Sequence, residues 1–229
     1  MGAPLSSERR SMTKPILFDP FIVALRRRKG KIPADLYADI EAAWEAVQRG
    51  GGPPAALAPT ATSEPAWTVI ARGFMGTKEI PGAKHNSAIL KWFADVGASW
   101  IKDDETPWCG AFHGAVLKLA GLPIVDKGLA VRAKAWADWG KACPMLTPGA
   151  TVVFGREGGG HVGQAVGISA DGKSIYTLGG NQRNEVNITP IARDRLLPGD
   201  AGVRWPAHLP LPTLRLPVMT GGVISTNER

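Results

Sequence analysis

Three segments of the chain carry the residue types that nucleophilic catalysis by a thiol requires. Cys109 lies in the segment TPWCGAF (106–112), His161 follows a run of three glycines, and Asn181 and Gln182 follow two more glycines. A thiol, an imidazole and a side-chain amide can serve as nucleophile, general base and orienting group in the hydrolysis of an amide. We therefore take Cys109, His161 and Asn181 as the candidate catalytic residues.

The residues before Cys109 predict that it lies in the first turn of a helix. Thr106 can cap such a helix, and Pro107 suits the first helical position, where its missing N–H costs nothing. Cys109 is then the third helical residue. Free backbone N–H groups and the positive end of the helix dipole stabilise a thiolate there. The pattern favours an activated thiol over a buried structural cysteine.

The elements that must position these residues change in type along the chain. Helical patterns come first, at 66–74, 87–96, 107–120 and 133–139. Strand patterns rich in Val and Ile follow, at 150–155, 162–169, 174–178, 186–191 and 203–205. Helices followed by consecutive strands predict an α+β fold, with the helices packed on an antiparallel sheet.

A hairpin should bring the histidine and the amide together. A three-residue loop with Asp-Gly would pair Ser169 with Lys173, which places His161 opposite Asn181 on the same face of the sheet. Asn181 Oδ1 would then accept a hydrogen bond from His161 Nδ1, leaving Nε2 for the thiol. A two-residue loop would place His161 opposite Gln182 instead.

Several neighbouring side chains have possible roles in the same site. Trp108 is expected to form a wall of the substrate cleft, and Gln182 to bind substrate or to replace Asn181. His113 lies four residues after Cys109, so it shares a helix face with the thiol and is an alternative base or metal ligand. No further ligands accompany it, and we expect neither a metal nor a cofactor.

Other ionisable residues are expected to be solvated or structural. The charged run 103–105 is interpreted as a solvated segment that favours a helix N-terminus. His85 and His208 lie in loop and tail contexts and are expected to face solvent. Cys143 precedes a proline and is interpreted as a small, partly buried residue without a disulfide.

Composition divides the chain into four parts. A basic helical extension (1–49) and a Gly/Pro/Ala linker (50–65) precede the main domain (66–206) and a Pro-rich irregular tail (207–229). The net charge is +7, and the first 31 residues, with eight Lys/Arg and two Asp/Glu, contribute +6 of it. The extension could contact an anionic membrane or wall polymer. No signal peptide or spanning segment is evident, so we expect cytoplasmic synthesis.

The motifs resemble those of a known family. The segments are TPWCG (106–110), GGHVG (159–163) and LGGNQ (178–182), with KEIPG (78–82), KHN (84–86) and DETPWC (104–109). They resemble CHAP and NlpC/P60-type papain-superfamily peptidoglycan hydrolases, in particular a phage and prophage endolysin-like group. The resemblance covers about residues 67–206. It implies a papain-like fold and cleavage of amide bonds in the peptidoglycan stem peptide by a Cys-His-polar triad without a metal, acting on the wall after release.

The expected mechanism proceeds through a thioester. His161 removes the proton of Cys109, or the two rest as thiolate and imidazolium, and the sulfur attacks an amide carbonyl of the substrate. The backbone N–H of Cys109 would contribute to the oxyanion hole. We expect a monomer without a specific nucleic-acid ligand. The alternatives are a secreted antibacterial amidase effector, a catalytically silent wall-binding module, and a nucleic-acid-binding protein that uses the basic extension.

Overall fold

The computed structural model describes residues 64–126, 128–226 and 228. Within them, three α-helices precede a six-stranded antiparallel sheet, which confirms the predicted α+β class. The predicted basic helical extension and nearly all of the linker lie outside the described residues. No helix in the described part of the chain has the length and apolar character needed to cross a membrane.

The helices follow the predicted segments closely. They are α1 (Ala66–Gly73), α2 (Ser87–Asp95) and α3 (Cys109–Leu119). The Asn86 side chain caps α2 by accepting from the backbone N–H of Ala88 at 2.9 Å. The segment predicted as a fourth helix forms a 3-10 helix, Ala133–Asp138.

The sheet combines a meander with one returning strand. Its strands are β1 (Lys141–Ala142), β2 (Thr151–Arg156), β3 (Gly159–Ile168), β4 (Ser174–Gly179), β5 (Asn187–Ala192) and β6 (Val203–Trp205). Their spatial order is β1-β6-β2-β3-β4-β5, so β6 returns to pair with the outer edge of β2. The two-residue strand β1 was not predicted, because two residues show no periodicity.

Both faces of the sheet are covered. Val153 and Val162 pack with the helices in the larger core cluster. Phe154 belongs to a second cluster on the opposite face, to which Leu216 contributes from the segment after β6. The described residues of that segment form no helix, and they are attached to the domain: Tyr176 Oη, for example, donates to the carbonyl of Gly221 at 2.7 Å. Two layers of contacts thus surround β3, the strand that carries His161.

The hairpin between β3 and β4 differs from the prediction. The backbone N–H of Ser169 donates to the carbonyl of Ser174 at 2.9 Å, so the loop has four residues and the predicted Ser169–Lys173 pair is wrong. The extra loop residue is compensated by an irregularity between Ala165 and Gly167, where the register shifts by one.

Beyond this bulge the register agrees with the predicted one. Gln164 pairs with Leu178. Continuing this register places residue 161 level with residue 181, but β4 ends at Gly179 and the pairing stops there. The predicted alignment therefore holds at this end of the hairpin, although its cause is the bulge and not a short loop.

Candidate catalytic site

Cys109 is the first residue of α3. The helix begins two residues later than predicted, with Trp108 as its N-cap residue and no side-chain cap. Thr106 does not cap the helix as predicted, because its hydroxyl donates to Asp103 Oδ2 at 3.0 Å. The helix still presents its positive end to the thiol, since the first backbone N–H groups of a helix lack intrahelical partners.

The thiol of Cys109 is almost completely buried, with 5% of the residue exposed. Burial raises its pKa, and the backbone N–H groups of Val162 and Gly110 oppose this by lowering it, but only in part. The expected activated thiolate is therefore not found, because loss of hydration outweighs the helix terminus. The action of the Val162 N–H places the sulfur beside the residue that follows His161.

His161 forms its side-chain hydrogen bond with Gln182. Its Nε2 lies 3.0 Å from Gln182 Oε1, and both side chains are buried. The prediction that Asn181 Oδ1 orients the ring through Nδ1 is wrong in both partner and nitrogen. Among the hydrogen bonds of the described residues, none joins His161 to Cys109. Catalytic hydrogen bonds often shorten only when substrate binds, so the role of His161 as base is judged on its tautomer and position.

The contacts of Gln182 determine the tautomer of His161. Gln182 Nε2 donates to the carbonyls of Thr177 and Asn187 at 3.1 and 2.7 Å. Carbonyl oxygens only accept, so this atom must be the NH2 group and Oε1 must be the atom that faces His161. His161 Nε2 therefore carries the proton. Nδ1 keeps its lone pair and is the nitrogen that can act as a base.

Asn181 is displaced from this role by the backbone. β4 ends before it, and Asn181 has a φ of 58°, in the left-handed region. Arg183 and Asn184 also have positive φ, and the N–H of Gln182 bonds to the carbonyl of Glu185 at 3.0 Å. This tight loop takes Asn181 out of the sheet and directs the longer Gln182 side chain back towards His161.

The charge states of Cys109 and His161 follow from their surroundings. The pKa of His161 is lowered to about 4: burial is the main cause and the charges of Arg156 and Arg195 add to it, whereas Glu228 and the Gln182 hydrogen bond partly oppose it. At neutral pH the imidazole is neutral. Together with the raised pKa of Cys109, this indicates a neutral thiol and a neutral imidazole and not a thiolate–imidazolium pair.

Trp108 is not a cleft wall. The residue is fully buried, and its Nε1 donates to Glu79 Oε1 at 2.7 Å. Its ring lies against Trp92 and Phe112. A Cβ on Gly180 would come within 2.4 Å of the ring, so the second glycine of the GGNQ motif is needed for this packing. The prediction of a substrate contact is wrong, and Trp108 instead fixes the start of α3 against the end of β4.

His113 is a buried core residue. Its Nε2 lies 3.0 Å from Thr151 Oγ1, and its ring meets that of Trp136 edge-on at 4.7 Å. Burial, with the nearby His161, lowers its pKa to about 3. No group of three or more His, Cys, Asp or Glu side chains that could hold a metal ion occurs among the described residues.

Asp104 is a structural anchor that sequence reasoning missed. The charged run was expected to be solvated, but Asp104 is fully buried and accepts from the N–H groups of Ile80 and Asn86 at 2.9 and 2.8 Å. His85 Nδ1 lies 3.1 Å from its other oxygen, so His85 is not simply solvated either. Burial tends to raise the pKa of Asp104, but these hydrogen bonds together hold it below the usual value. Asp104 thereby attaches the KEIPG loop to the segment before α3.

Arg195 and Glu228 were also missed. They form a two-pronged ion pair, Nη1 to Oε1 at 2.7 Å and Nη2 to Oε2 at 2.8 Å, on the side of the sheet that carries His161. They are 33 residues apart, and neither lies in a motif, so no local signal in the sequence joins them.

Searches of family models, of curated proteins and of solved structures found no match to this chain.

Proposed function

We propose that the protein is a cysteine amidohydrolase with a papain-like fold that cleaves amide bonds of the peptidoglycan stem peptide. Cys109 is the nucleophile, His161 the general base and Gln182 the orienting residue. The supporting observation is the hydrogen bond between His161 Nε2 and Gln182 Oε1, because it leaves Nδ1 unprotonated on the residue that precedes Val162, whose backbone N–H contacts the thiol.

The first chemical step starts from neutral groups. As the sulfur of Cys109 attacks the amide carbonyl, its proton passes to His161 Nδ1 and the carbonyl electrons move to oxygen. The imidazolium is stabilised by Gln182 Oε1, which accepts from Nε2. The Cys109 N–H is the proposed oxyanion donor, a contact worth about 3 kcal/mol in other hydrolases.

The remaining steps release the two products. His161 Nδ1 returns the proton to the leaving nitrogen as the C–N bond breaks, which leaves a thioester on Cys109. Water then attacks the thioester with His161 as base, the C–S bond breaks, and the thiol is regenerated with a free carboxylic acid as product. Neutral starting groups place the working range of the enzyme above the pKa of His161, which is about 4.

The substrate class is supported by the motifs that resemble cell-wall hydrolases. The segments TPWCG (106–110) and GGHVG (159–163) contain the proposed nucleophile and base, and LGGNQ (178–182) contains the orienting amide. We further propose that the protein acts as a monomer on the wall after release from the cytoplasm, as in phage lysis. Its basic first 31 residues would contact an anionic membrane or wall polymer.

Digestion of purified peptidoglycan tests the proposal. The parent protein should release soluble fragments, Cys109→Ala should release none, and Cys143→Ser should match the parent as the control for the second free cysteine. Mass spectrometry then identifies the bond: free stem peptides mean an amidase, and cut stems or cross-links mean an endopeptidase.

Other outcomes would favour other functions. Wall binding without release by any of the three proteins would contradict the hydrolase proposal and favour a binding module. Release that depends on Cys109, together with an inhibitory protein encoded beside the gene, would favour a secreted antibacterial effector with the same chemistry. Nucleic-acid binding that is lost when residues 1–31 are deleted would favour the basic extension as the functional part.

A further inference from the structure

The segment after β6 contacts both faces of the sheet: Leu216 packs in the cluster with Phe154, whereas Met219 packs against the larger cluster that contains the helices. We call residues 217–226 together with Glu228 the C-terminal strap. The Met219 N–H donates to Ile168 at 2.9 Å, and the Ser225 N–H donates to the carbonyl of Pro190 at 2.8 Å. Between these contacts Gly221 and Gly222 both have positive φ, which gives the strap its bend. The strap thus passes from β3 to β5 across the sheet.

Glu228 is the charged residue of the strap that enters the interior. Only 2% of its side chain is exposed, compared with 18% for its partner Arg195. Arg195 also donates from Nη1 to the Ser225 carbonyl at 3.1 Å and from Nε to the Gly155 carbonyl at 3.3 Å. The N–H groups of Arg195 in these contacts therefore point towards the strap or towards β2.

Arg195 is linked to His161 through neighbouring residues of β2 and β3. Gly155, which Arg195 contacts, pairs with Gly160, the residue before His161. Phe154 stacks on His161 with ring centroids 6.4 Å apart, and Leu196 bridges to Phe154 from the residue after Arg195. The charge of Glu228 acts on both His161 and Cys109. A carboxylate held by Arg195 therefore lies on the side of the sheet that Phe154 and His161 share.

We propose that Arg195 binds a carboxylate of the substrate beside the scissile amide, and that Glu228 occupies this position in the free protein as an intramolecular substitute. The assignment of the bound group to substrate rests on the proposed function. Arginine binds carboxylates in this two-pronged geometry with both charge and directional hydrogen bonds. The substrate class is then an amide with a free carboxylate close to the cleaved bond.

The strap is suited to displacement by such a substrate. Val223 and Ile224, which precede Ser225, are exposed, so this part of the strap buries little apolar surface. Among the described residues, its attachment consists of backbone hydrogen bonds, the packing of Met219, the Tyr176–Gly221 contact and the bonds of Arg195 to Ser225 and Glu228. Segments with few buried apolar contacts open at low free-energy cost. An incoming carboxylate could replace Glu228 without leaving Arg195 uncompensated.

Chemical rescue by acetate tests the proposal without requiring hydrolysis. Cys143→Ser leaves Cys109 as the thiol that reacts with neutral iodoacetamide. In this background, Glu228→Ala removes the carboxylate from Arg195, and the rate of Cys109 alkylation should rise. Sodium acetate should then slow the alkylation, about threefold at twice its Kd, and raise the Tm, whereas sodium chloride at equal ionic strength should not. The double variant Arg195→Gln/Glu228→Ala should show no acetate effect.

A matched control separates binding at Arg195 from a change of net charge. Asp194→Ala removes the same charge from an exposed neighbour and should give no acetate response. Equal responses to acetate and chloride, or an acetate response that survives Arg195→Gln, would overturn the proposal. If Glu228→Ala does not fold, Glu228→Gln keeps the side-chain size, and alkylation no faster than in the parent would also overturn it.

The two proposals fail separately in these experiments. Alkylation reports the accessibility and reactivity of the thiol, and it needs no peptidoglycan. Acetate rescue in a protein that releases no wall fragments would contradict the proposed hydrolase and keep the carboxylate site. Wall digestion by a protein without acetate rescue would keep the hydrolase and remove Arg195 from substrate binding.

Discussion

Two buried histidines lie on adjoining elements of this protein, and they differ in what holds their rings. His161 bonds to a side-chain amide whose orientation is determined by backbone carbonyls, so its proton is placed on Nε2. His113 bonds to the hydroxyl of Thr151, which can donate or accept, so its tautomer is not determined by that contact. The comparison indicates that an amide partner with its own fixed orientation is what prepares a buried imidazole as a base.

The two rings also differ in the neighbours that raise or lower their pKa values. The pKa of His113 is lowered to about 3 by burial and by His161, and its ring packs on Trp136. The pKa of His161 is lowered less, to about 4, because Glu228 and Gln182 partly offset its burial. Polar neighbours therefore favour the protonated form of His161, whereas both influences on His113 disfavour its protonated form.

The largest expected effect compares the two histidines directly. His161→Ala should lower kcat/KM for wall digestion by about 10³-fold, within the range of losses seen when a general base is removed. His113→Gln keeps a group that can bond to Thr151 and should retain most of the activity. Initial rates of fragment release measure both. A larger loss from His113→Gln at unchanged folded fraction would reverse the assignment of the base.

The next effect sharpens the role of the amide. Gln182→Ala should lower kcat by on the order of 10²-fold, because the ring loses its fixed tautomer while the thiol stays in place. Asn181→Gly is the matched control, since glycine tolerates the φ of 58° and removes only the side chain. It should retain nearly full activity. An equal loss from both substitutions would return the orienting role to Asn181.

Gln182→Glu gives a more specific readout of the same contact. The carboxylate keeps an acceptor for His161 Nε2 and adds a negative charge, so the pKa of His161 should rise above about 4. Its second oxygen cannot donate to the carbonyls of Thr177 and Asn187, so we also expect a lower Tm. The acid limb of the kcat/KM profile should move to higher pH by the same amount. An unchanged acid limb would mean that another group controls the low-pH limit.

The smallest expected effect is on the pH dependence of the free energy of unfolding, and it concerns His113. Its pKa is about 3 in the folded protein and about 6.5 in the reference state, so between these values the unfolded chain binds the proton and the folded protein does not. Stability therefore falls as pH decreases from about 6.5 to 3. His113→Gln should reduce this slope by up to about 1.4 kcal/mol per pH unit.

Urea denaturation at several values between pH 5 and 7 measures that slope. The carboxylates and His161 contribute equally in the two proteins, so the difference between the slopes reports His113 alone. Identical slopes would show that His113 is not a buried neutral histidine, and the contrast between the two histidines would lose its basis.

Local signals in the sequence predicted much of the fold. Gly121, with a φ of 72°, ends α3 as expected from a glycine at a helix C-terminus. The strand patterns rich in Val and Ile located five of the six strands within three residues at each end. It did not reveal the four-residue hairpin loop, because loop length and bulge compensate each other in this register.

The sequence predicted which residues are candidates for the site, but not which of them contact one another. Sequence reasoning identified Cys109 and His161, and it named Gln182 as the competitor of Asn181. The choice between the two amides depended on where β4 stops pairing and on the tight loop with positive φ that follows it. The burial of Trp108 and Asp104 was equally invisible, because their polar atoms are matched by partners 29, 24 and 18 residues away.

By itself the sequence determined the α+β class, the order of the elements and the placement of a thiol at a helix start before a histidine on a strand. These features follow from periodicity and from capping and turn residues, which act over a few positions. The tertiary structure alone decided the protonation state of the thiol, the partner of His161 and the pairing of Arg195 with Glu228. Those properties depend on desolvation and on contacts between distant segments, which have no local signature.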